Sequence, residues 1–260
     1  MTVSDVILGI NAVSRQFGGI VALDALSFSV ARHAIHAVIG PNGSGKTTLL
    51  NSISGAYVPD RGSIRFEGVE LVGLPPHRIA RLGLTRTFQN IRLFPTLSVI
   101  ENVMSARPSG GVAMFLHTIL GTGRFREAEA VAEAEARAAL RRVGLDRYAD
   151  SAASALPYAR QRLLEIARAL AREPKLMLLD EPAAGMNMTE AMELLTLVRR
   201  IRDSGITIIL VEHNVRLVMG IAERITVLDF GRMIAQGTPD EIRNDSEVIR
   251  AYLGRARHRA

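Results

Sequence analysis

Residues 37–48 read AVIGPNGSGKTT, a pattern suited to binding phosphate. An apolar segment, Ile35–Ile39, precedes the loop and predicts a buried strand, and a helix-compatible stretch follows. The spacing G-x-x-x-x-G-K-[ST] lets successive backbone N–H groups point at phosphate oxygens, and the helix N-terminus adds positive potential there. We expect Lys46 to reach the β- and γ-phosphates and the Thr47 hydroxyl to ligate Mg²⁺. The predicted ATP-binding residues of this loop are Gly40, Pro41, Asn42, Gly43, Ser44, Gly45, Lys46, Thr47 and Thr48.

Two carboxylates follow a second apolar segment in the sequence LMLLDEP, residues 176–182. In open α/β sheets, ligands bind beyond the carboxyl ends of the strands. We expect Asp180 to hold Mg²⁺ through water and Glu181 to orient and deprotonate the attacking water. Acidic residues are also common in surface turns after strands, so the phosphate loop upstream is what favours the catalytic interpretation.

Strands and helices alternate through the rest of the chain. Apolar runs predict strands at 176–179, 206–211 and 225–229, with a hairpin through Phe230 and Gly231. Helices are predicted at about 124–145, 161–172, 189–203 and 214–222. This order indicates an α/β core with a mainly parallel sheet. Residues 4–90 alternate short apolar runs with Gly and Pro, which indicates strands and turns. The middle, 92–165, is predicted to be an inserted helical lobe.

The composition sets further limits. The 260 residues contain no apolar run of the length that a membrane-spanning helix needs, no cysteine and no basic residue ahead of the first apolar segment. The formal charge is +6. A basic surface could bind nucleic acid or anionic lipid, but we favour the interpretation that the charge only keeps the protein soluble. The apolar stretch between Gly110 and Gly121 is short. It suits a membrane-facing segment or, preferably, a buried helix of the lobe.

With these motifs in order, the sequence resembles the ABC ATPase family along essentially its whole length. The resemblance implies a P-loop NTPase fold with a RecA-like core, an N-terminal antiparallel β part and an inserted α-helical lobe. Phe17 in RQFGG corresponds to the aromatic that stacks on adenine, a core position being the alternative. Gln89 in TFQN corresponds to the glutamine that senses Mg²⁺ and links the lobes, and His213 in LVEHN to the histidine that contacts the γ-phosphate.

The signature of this family, L-S-G-G-Q, is altered here. Pro157 replaces the serine and Ala159 the second glycine, so one hydroxyl-to-anion bond, worth about 1.5–3 kcal/mol, is lost. A later loop, 183–187, carries Asn187 where the family usually has Asp. The resemblance implies that these signature residues contact the ATP held by a partner subunit: Leu156, Pro157, Tyr158, Ala159, Arg160 and Gln161.

The resemblance also implies an assembly. One ABC ATPase domain, 5–253, would comprise a core (5–91 and 166–240), a helical lobe (92–165) and a C-terminal extension (241–254), followed by a basic tail (255–260). Two ATPase subunits would pack head to tail, as a homo- or heterodimer, on two membrane permease subunits at the cytoplasmic face of the membrane. A solute-binding protein would act indirectly, and no nucleic acid partner is expected.

Finer details resemble one branch of the family, the ATPases of branched-chain amino acid importers and their amide and urea relatives. The segments that carry this resemblance are DEPAAGMN, the run LEIARAL and the ending VLDFGRMIAQGTPDEI. The extra stretch at about 105–140 resembles the longer of the two ATPase subunits in that system. Two alternatives stay open at this stage: a nucleic-acid-associated ABC ATPase, and an ATP-binding scaffold with little hydrolysis.

Overall fold

The computed structural model describes residues 5–106 and 123–253, which form two compact units. The first contains 5–86, 175–182 and 195–253, and the second contains 87–106, 123–174 and 183–194. The core and lobe limits predicted above, at 91/92 and 165/166, differ from these and stay a prediction. The predicted segment between Gly110 and Gly121 and the basic tail 255–260 lie outside the described residues.

An antiparallel sheet in the first unit has the strand order β2-β1-β4-β5. Its strands are β1 (Val6–Phe17), β2 (Ile20–Ala31), β4 (Arg61–Phe66) and β5 (Val69–Glu70). Alternate side chains are buried along much of β2 and β4, among them Leu26, Ile64 and Phe66, as expected for a sheet with one face on the core. The sheet leaves the turn after Phe17 at the surface.

The second sheet has six strands in the order β10-β9-β3-β8-β7-β6. They are β3 (Ile35–Ile39), β6 (Leu84–Arg86), β7 (Leu176–Asp180), β8 (Thr207–Val211), β9 (Arg224–Asp229) and β10 (Arg232–Gly237). β9 and β10 form an antiparallel hairpin, whereas the other pairs are parallel. Every residue of β3, β7 and β8 is buried, which explains their largely apolar sequences. The predicted α/β fold with a mainly parallel sheet is confirmed.

In several helices, side chains satisfy the first N–H groups. Reciprocal capping boxes start α3, by Ser98 and Glu101, and α8, by Thr238 and Glu241. The bounds are α1 (Lys46–Ile53), α2 (Pro76–Arg81), α3 (Val99–Met104), α4 (Gly123–Arg142), α5 (Tyr158–Leu170), α6 (Met188–Asp203), α7 (Val215–Met219), α8 (Pro239–Asn244) and α9 (Ser246–Leu253). Across the described residues, none of these helices combines the length and apolarity that a bilayer crossing requires.

One histidine of the central strand is part of the core. His36 is 1% exposed, its Nε2 lies 2.8 Å from the Thr226 hydroxyl, and its ring stacks on Phe28 at a centroid distance of 5.3 Å. Burial, and then the nearby charge of Arg224, lowers the pKa of His36 to about 4. The folded protein therefore holds this side chain neutral.

We expect this histidine to make folding sensitive to acid. Because the unfolded chain binds the proton with a pKa near 6.5, the stabilisation is complete above that pH and is lost as the pH falls towards 4. Between pH 7 and 5 the free energy of unfolding should drop by about 2 kcal/mol from this group. Urea titrations at the two pH values should show a smaller drop for His36→Gln than for wild type. The exposed His77→Gln is the control, and an unchanged drop in His36→Gln would contradict the account.

Candidate functional site

Two glycines shape the loop between β3 and α1. A Cβ on Gly40 would lie 2.2 Å from the Leu228 carbonyl oxygen, and one on Gly45 would lie 2.5 Å from the Ala22 carbonyl oxygen. Gly45 also has a φ of 103°, which disfavours any L side chain. The first and sixth positions of the spacing therefore require glycine for close backbone packing, which is what allows the loop to curl.

Lys46 lies over this loop rather than in solvent. Its side chain is 7% exposed, and Nζ donates to the carbonyl oxygens of Gly40 at 2.7 Å and Pro41 at 2.9 Å. Thr47, on the same first turn of α1, is exposed. Ser44 has a buried hydroxyl with no hydrogen-bond partner in the part of the chain that the structure describes. An ammonium, a buried hydroxyl and a helix N-terminus meet here, as an anion site requires.

The carboxylates lie at the end of β7. Asp180 is 3% exposed. Glu181 takes a left-handed backbone conformation, with φ of 46°, and its N–H donates to the Val211 carbonyl at 2.9 Å. Such a conformation costs a non-glycine residue about 1–3 kcal/mol and is often found at functional sites.

His213 follows the next strand of the sheet, β8, and lies beside Glu181. Its Nδ1 is 3.7 Å from the Glu181 carboxylate and 3.8 Å from that of Glu212, and its ring is 58% exposed. The first unit thus brings together Lys46, Asp180, Glu181 and His213 at the carboxyl edge of one sheet.

Sequence reasoning missed a buried arginine at this edge. Arg86, the last residue of β6, places Nη2 3.0 Å from Asp180 Oδ2, and its Nη1 donates to Asn51 Oδ1 at 2.7 Å. Glu212, 1% exposed, was missed as well. The available signal was a charged residue at the end of an otherwise apolar strand sequence.

Phe17 lies at the surface of the first unit. Its ring is 37% exposed and meets Tyr57 edge to face, with centroids 5.2 Å apart. The Arg15 guanidinium lies 4.7 Å from the Phe17 centroid. The core alternative for Phe17 is therefore wrong, and Tyr57 is a second exposed aromatic that the sequence analysis did not single out.

Gln89 belongs to the second unit, where α5 holds its backbone. Arg162, 3% exposed, donates from Nη1 to the Phe88 carbonyl at 2.7 Å and from Nη2 to the Gln89 carbonyl. Glu165 pairs with Arg162 at 3.1 Å and accepts the Arg92 N–H at 3.0 Å. Burial raises the pKa of Glu165, although the Arg92 N–H and Arg162 oppose the shift. Arg162 and Glu165 were also missed, despite their i, i+3 spacing.

The signature residues start the same helix. α5 begins at Tyr158, not at 161 as predicted, because Pro157 takes the extended N-cap conformation with φ of −54°. Gln161 donates to the Leu156 carbonyl at 2.9 Å. Pro157 and Tyr158 are exposed, Ala159, Arg160 and Gln161 are half-buried, and Leu156 is buried.

Asn187 starts α6 with a reciprocal cap. Its Oδ1 accepts the Glu190 N–H at 3.0 Å, and the Glu190 carboxylate accepts the Asn187 N–H at 3.0 Å. Asn caps helices as well as Asp does, so this departure from the family pattern preserves the helix start.

The donor atoms of the first unit fit Mg²⁺. Among the described residues, no three His, Cys, Asp or Glu side chains cluster as a metal site. Mg²⁺ usually takes one or two protein oxygens and completes its shell with water and substrate phosphates. The Thr47 hydroxyl and the Asp180 carboxylate supply oxygens of that kind.

Comparison with known families agrees with this geometry. Residues 23–184 match the family described as ABC transporter, and residues 232–258 match the family described as branched-chain amino acid ATP-binding cassette transporter. The chain belongs to the ABC transporter family.

Individual relatives of this ABC ATPase align with nearly its whole length. It is 44% identical over 254 residues to the high-affinity branched-chain amino acid transport ATP-binding protein LivG of Salmonella typhimurium, spanning 97% of this chain and 100% of LivG. It is 41% identical to BraF of Pseudomonas aeruginosa, a protein of the same description, over 96% of this chain and 98% of BraF.

Solved structures share the fold. A nucleotide-free ATP-binding cassette from an ABC transporter aligns with a TM-score of 0.83 at 30% identity, covering 95% of this chain and 98% of that one. A cassette described in its ADP conformation aligns with a TM-score of 0.83 at 30% identity, covering 96% and 99%. Binding of ATP and ADP is therefore a property of the family to which this chain belongs.

The loop geometry predicts that ATP affinity depends on Lys46. Removing its ammonium takes a charge-assisted hydrogen bond, worth about 1.5–3 kcal/mol, from the phosphates. Lys46→Ala should therefore bind ATP about 10- to 100-fold more weakly in calorimetry. Lys175→Ala, which removes the other lysine of the chain, is the control and should bind normally. Wild-type affinity in Lys46→Ala would show that this loop does not hold the phosphates.

Proposed function

We propose that this chain is the ATP-hydrolysing subunit of an importer for branched-chain amino acids. One observation carries the solute class: similarity to transport ATP-binding proteins of that description over at least 96% of the chain. The family match at residues 232–258 agrees with it. The site supports the ATPase activity, because a phosphate loop, two carboxylates and a histidine meet at one sheet edge.

In this proposal each residue at the edge has one task. Lys46 and the loop N–H groups bind the β- and γ-phosphates, and Phe17 stacks on adenine. Glu181 takes the proton of the attacking water, and His213 contacts the γ-phosphate. Thr47 and Asp180 would hold Mg²⁺, which would neutralise developing charge on the phosphates.

We further propose that a second ABC ATPase subunit packs head to tail on this one. Residues 156–161 would then contact the ATP of the partner. Pro157 and Tyr158 are exposed at the start of α5, so backbone N–H groups of its first turn can face an anion. The serine hydroxyl of the usual signature is absent, so we expect a weakened rather than an absent contact. Unequal ATP sites would follow if the partner is a different subunit.

Membrane coupling would use the segment after Gln89. Phe94 is 49% exposed, while its backbone N–H and carbonyl are both held, at 2.9 Å, by the side chain of the buried Asn102. A fixed loop that presents an exposed aromatic ring suits docking on a permease helix. The proposed location is the cytoplasmic face of the membrane, beneath two permease subunits that receive solute from a binding protein.

Hydrolysis should need Glu181 while ATP binding should not. A general base contributes about 10²–10⁴-fold to the rate and little to ground-state affinity. Glu181→Gln should lower ATP turnover by at least about 100-fold and keep nucleotide affinity in calorimetry. Glu193→Gln, an exposed carboxylate on α6, should leave turnover unchanged. Near wild-type turnover in Glu181→Gln would refute the assignment of the base, and slow turnover already in the wild-type complex would favour a scaffold.

Solute class and docking can be tested together in vesicles that carry the permease and binding protein. We expect ATP-dependent uptake of leucine but not of lysine.

Phe94→Ser should lower uptake and co-purification with the permease, because the docking contact is lost, while ATP binding by the isolated chain stays normal. Val69→Ser, at an exposed valine of the antiparallel sheet, is the control. Robust ATP turnover without leucine uptake would contradict the solute class, and normal uptake in Phe94→Ser would contradict the docking site.

A further inference from the structure

Arg86 is a buried cation at the carboxyl edge of the sheet. Its side chain is 7% exposed, and that of its partner Asp180 is 4% exposed. Nη2 lies 3.0 Å from Asp180 Oδ2, while Nη1 donates to Asn51 Oδ1 at 2.7 Å and to the Ser54 hydroxyl at 3.1 Å. One guanidinium therefore joins the end of β7 to α1.

The contacts of Arg86 lie between two elements of the proposed metal site. Asn51 and Ser54 lie on and just after the helix whose first turn carries Lys46 and Thr47. The carboxylate of Asp180 and the first turn of α1 must keep a fixed spacing if they are to share one metal ion. A planar guanidinium with separate nitrogens on the two elements sets that spacing more rigidly than an ammonium would.

Asp180 carries a buried charge that needs a partner. A carboxylate as buried as Asp180 is costly unless it is paired and hydrogen-bonded, and Arg86 supplies charge and hydrogen bond together. Partners that orient a metal-binding carboxylate typically change metal affinity by about 10- to 100-fold when they are removed.

We propose that Arg86 is a positioning residue that orients Asp180 relative to α1 and thereby sets the Mg²⁺ affinity of the nucleotide complex. This inference rests on the proposed function, in which Asp180 and Thr47 hold the metal. Arg86 itself contacts neither nucleotide nor metal in this proposal. Loss of Arg86 should therefore change the Mg²⁺ requirement and not the metal-independent affinity for ATP.

The experiment measures binding of a fluorescent ATP analogue to the full chain, in a Glu181→Gln background that prevents turnover. Titration of Mg²⁺ gives the concentration of half-maximal effect, and a titration in EDTA gives the metal-free affinity. Arg86→Met should raise the Mg²⁺ concentration of half-maximal effect roughly tenfold, and Arg86→Lys should raise that concentration by a smaller factor. The affinity for the analogue in EDTA should stay within about twofold of that of the Glu181→Gln parent.

Two further variants separate positioning from folding. Arg32→Lys alters an ion pair with Glu67 in the same unit, away from the sheet edge, and should leave the Mg²⁺ dependence unchanged. Asn51→Ala removes one of the two acceptors that hold Nη1 at the α1 end, leaves the Ser54 hydroxyl, and should shift the Mg²⁺ dependence in the same direction as Arg86→Met, by a smaller factor. It serves as the test if circular dichroism shows that Arg86→Met is unfolded.

The results that would overturn the inference differ from those that would overturn the proposed function. Unchanged Mg²⁺ dependence in folded Arg86→Met, or equal losses with and without Mg²⁺, would refute the positioning role alone. A parent Glu181→Gln chain that binds the analogue with no response to Mg²⁺ would refute that role and the proposed metal site together.

Discussion

The parallel register of three wholly buried strands is the constraint on which the site depends. Val211, the last residue of β8, pairs with Val38 on one side and with Asp180 on the other. Because parallel neighbours end at the same edge, the phosphate loop, the carboxylates and His213 must leave the sheet together. Burial of every side chain in these strands fixes that register, since a slip would place polar loop residues in the core.

Each unit also contains a buried ion pair. Arg86 and Asp180 form one in the first unit, and Arg162 and Glu165 form another in the second. Such pairs cost desolvation energy, so their contribution is geometric more than energetic. In the second unit, Arg162 also donates to the carbonyl oxygens of the consecutive residues Phe88 and Gln89, which fixes the backbone that carries Gln89.

Much of this arrangement could be predicted from local sequence, because local sequence encodes strands and loops. The strand predicted at 176–179 is observed at Leu176–Asp180, and the glycine spacing predicted the tight loop between β3 and α1. Tertiary pairing could not be read in the same way. Arg86 and Asp180 are 94 residues apart in sequence, so nothing local connects them. The start of α5 was misplaced for a local reason, because Pro157 caps the helix immediately before Tyr158.

The central claim is that one sheet edge binds and hydrolyses the nucleotide. A crystal structure of the Glu181→Gln variant with ATP and Mg²⁺ tests this most directly. The account predicts the γ-phosphate within hydrogen-bonding distance of Lys46 and His213, with the metal on the Thr47 hydroxyl and within one water of Asp180. A triphosphate bound away from the loop between Gly40 and Thr47, or a metal held by other residues, would contradict it.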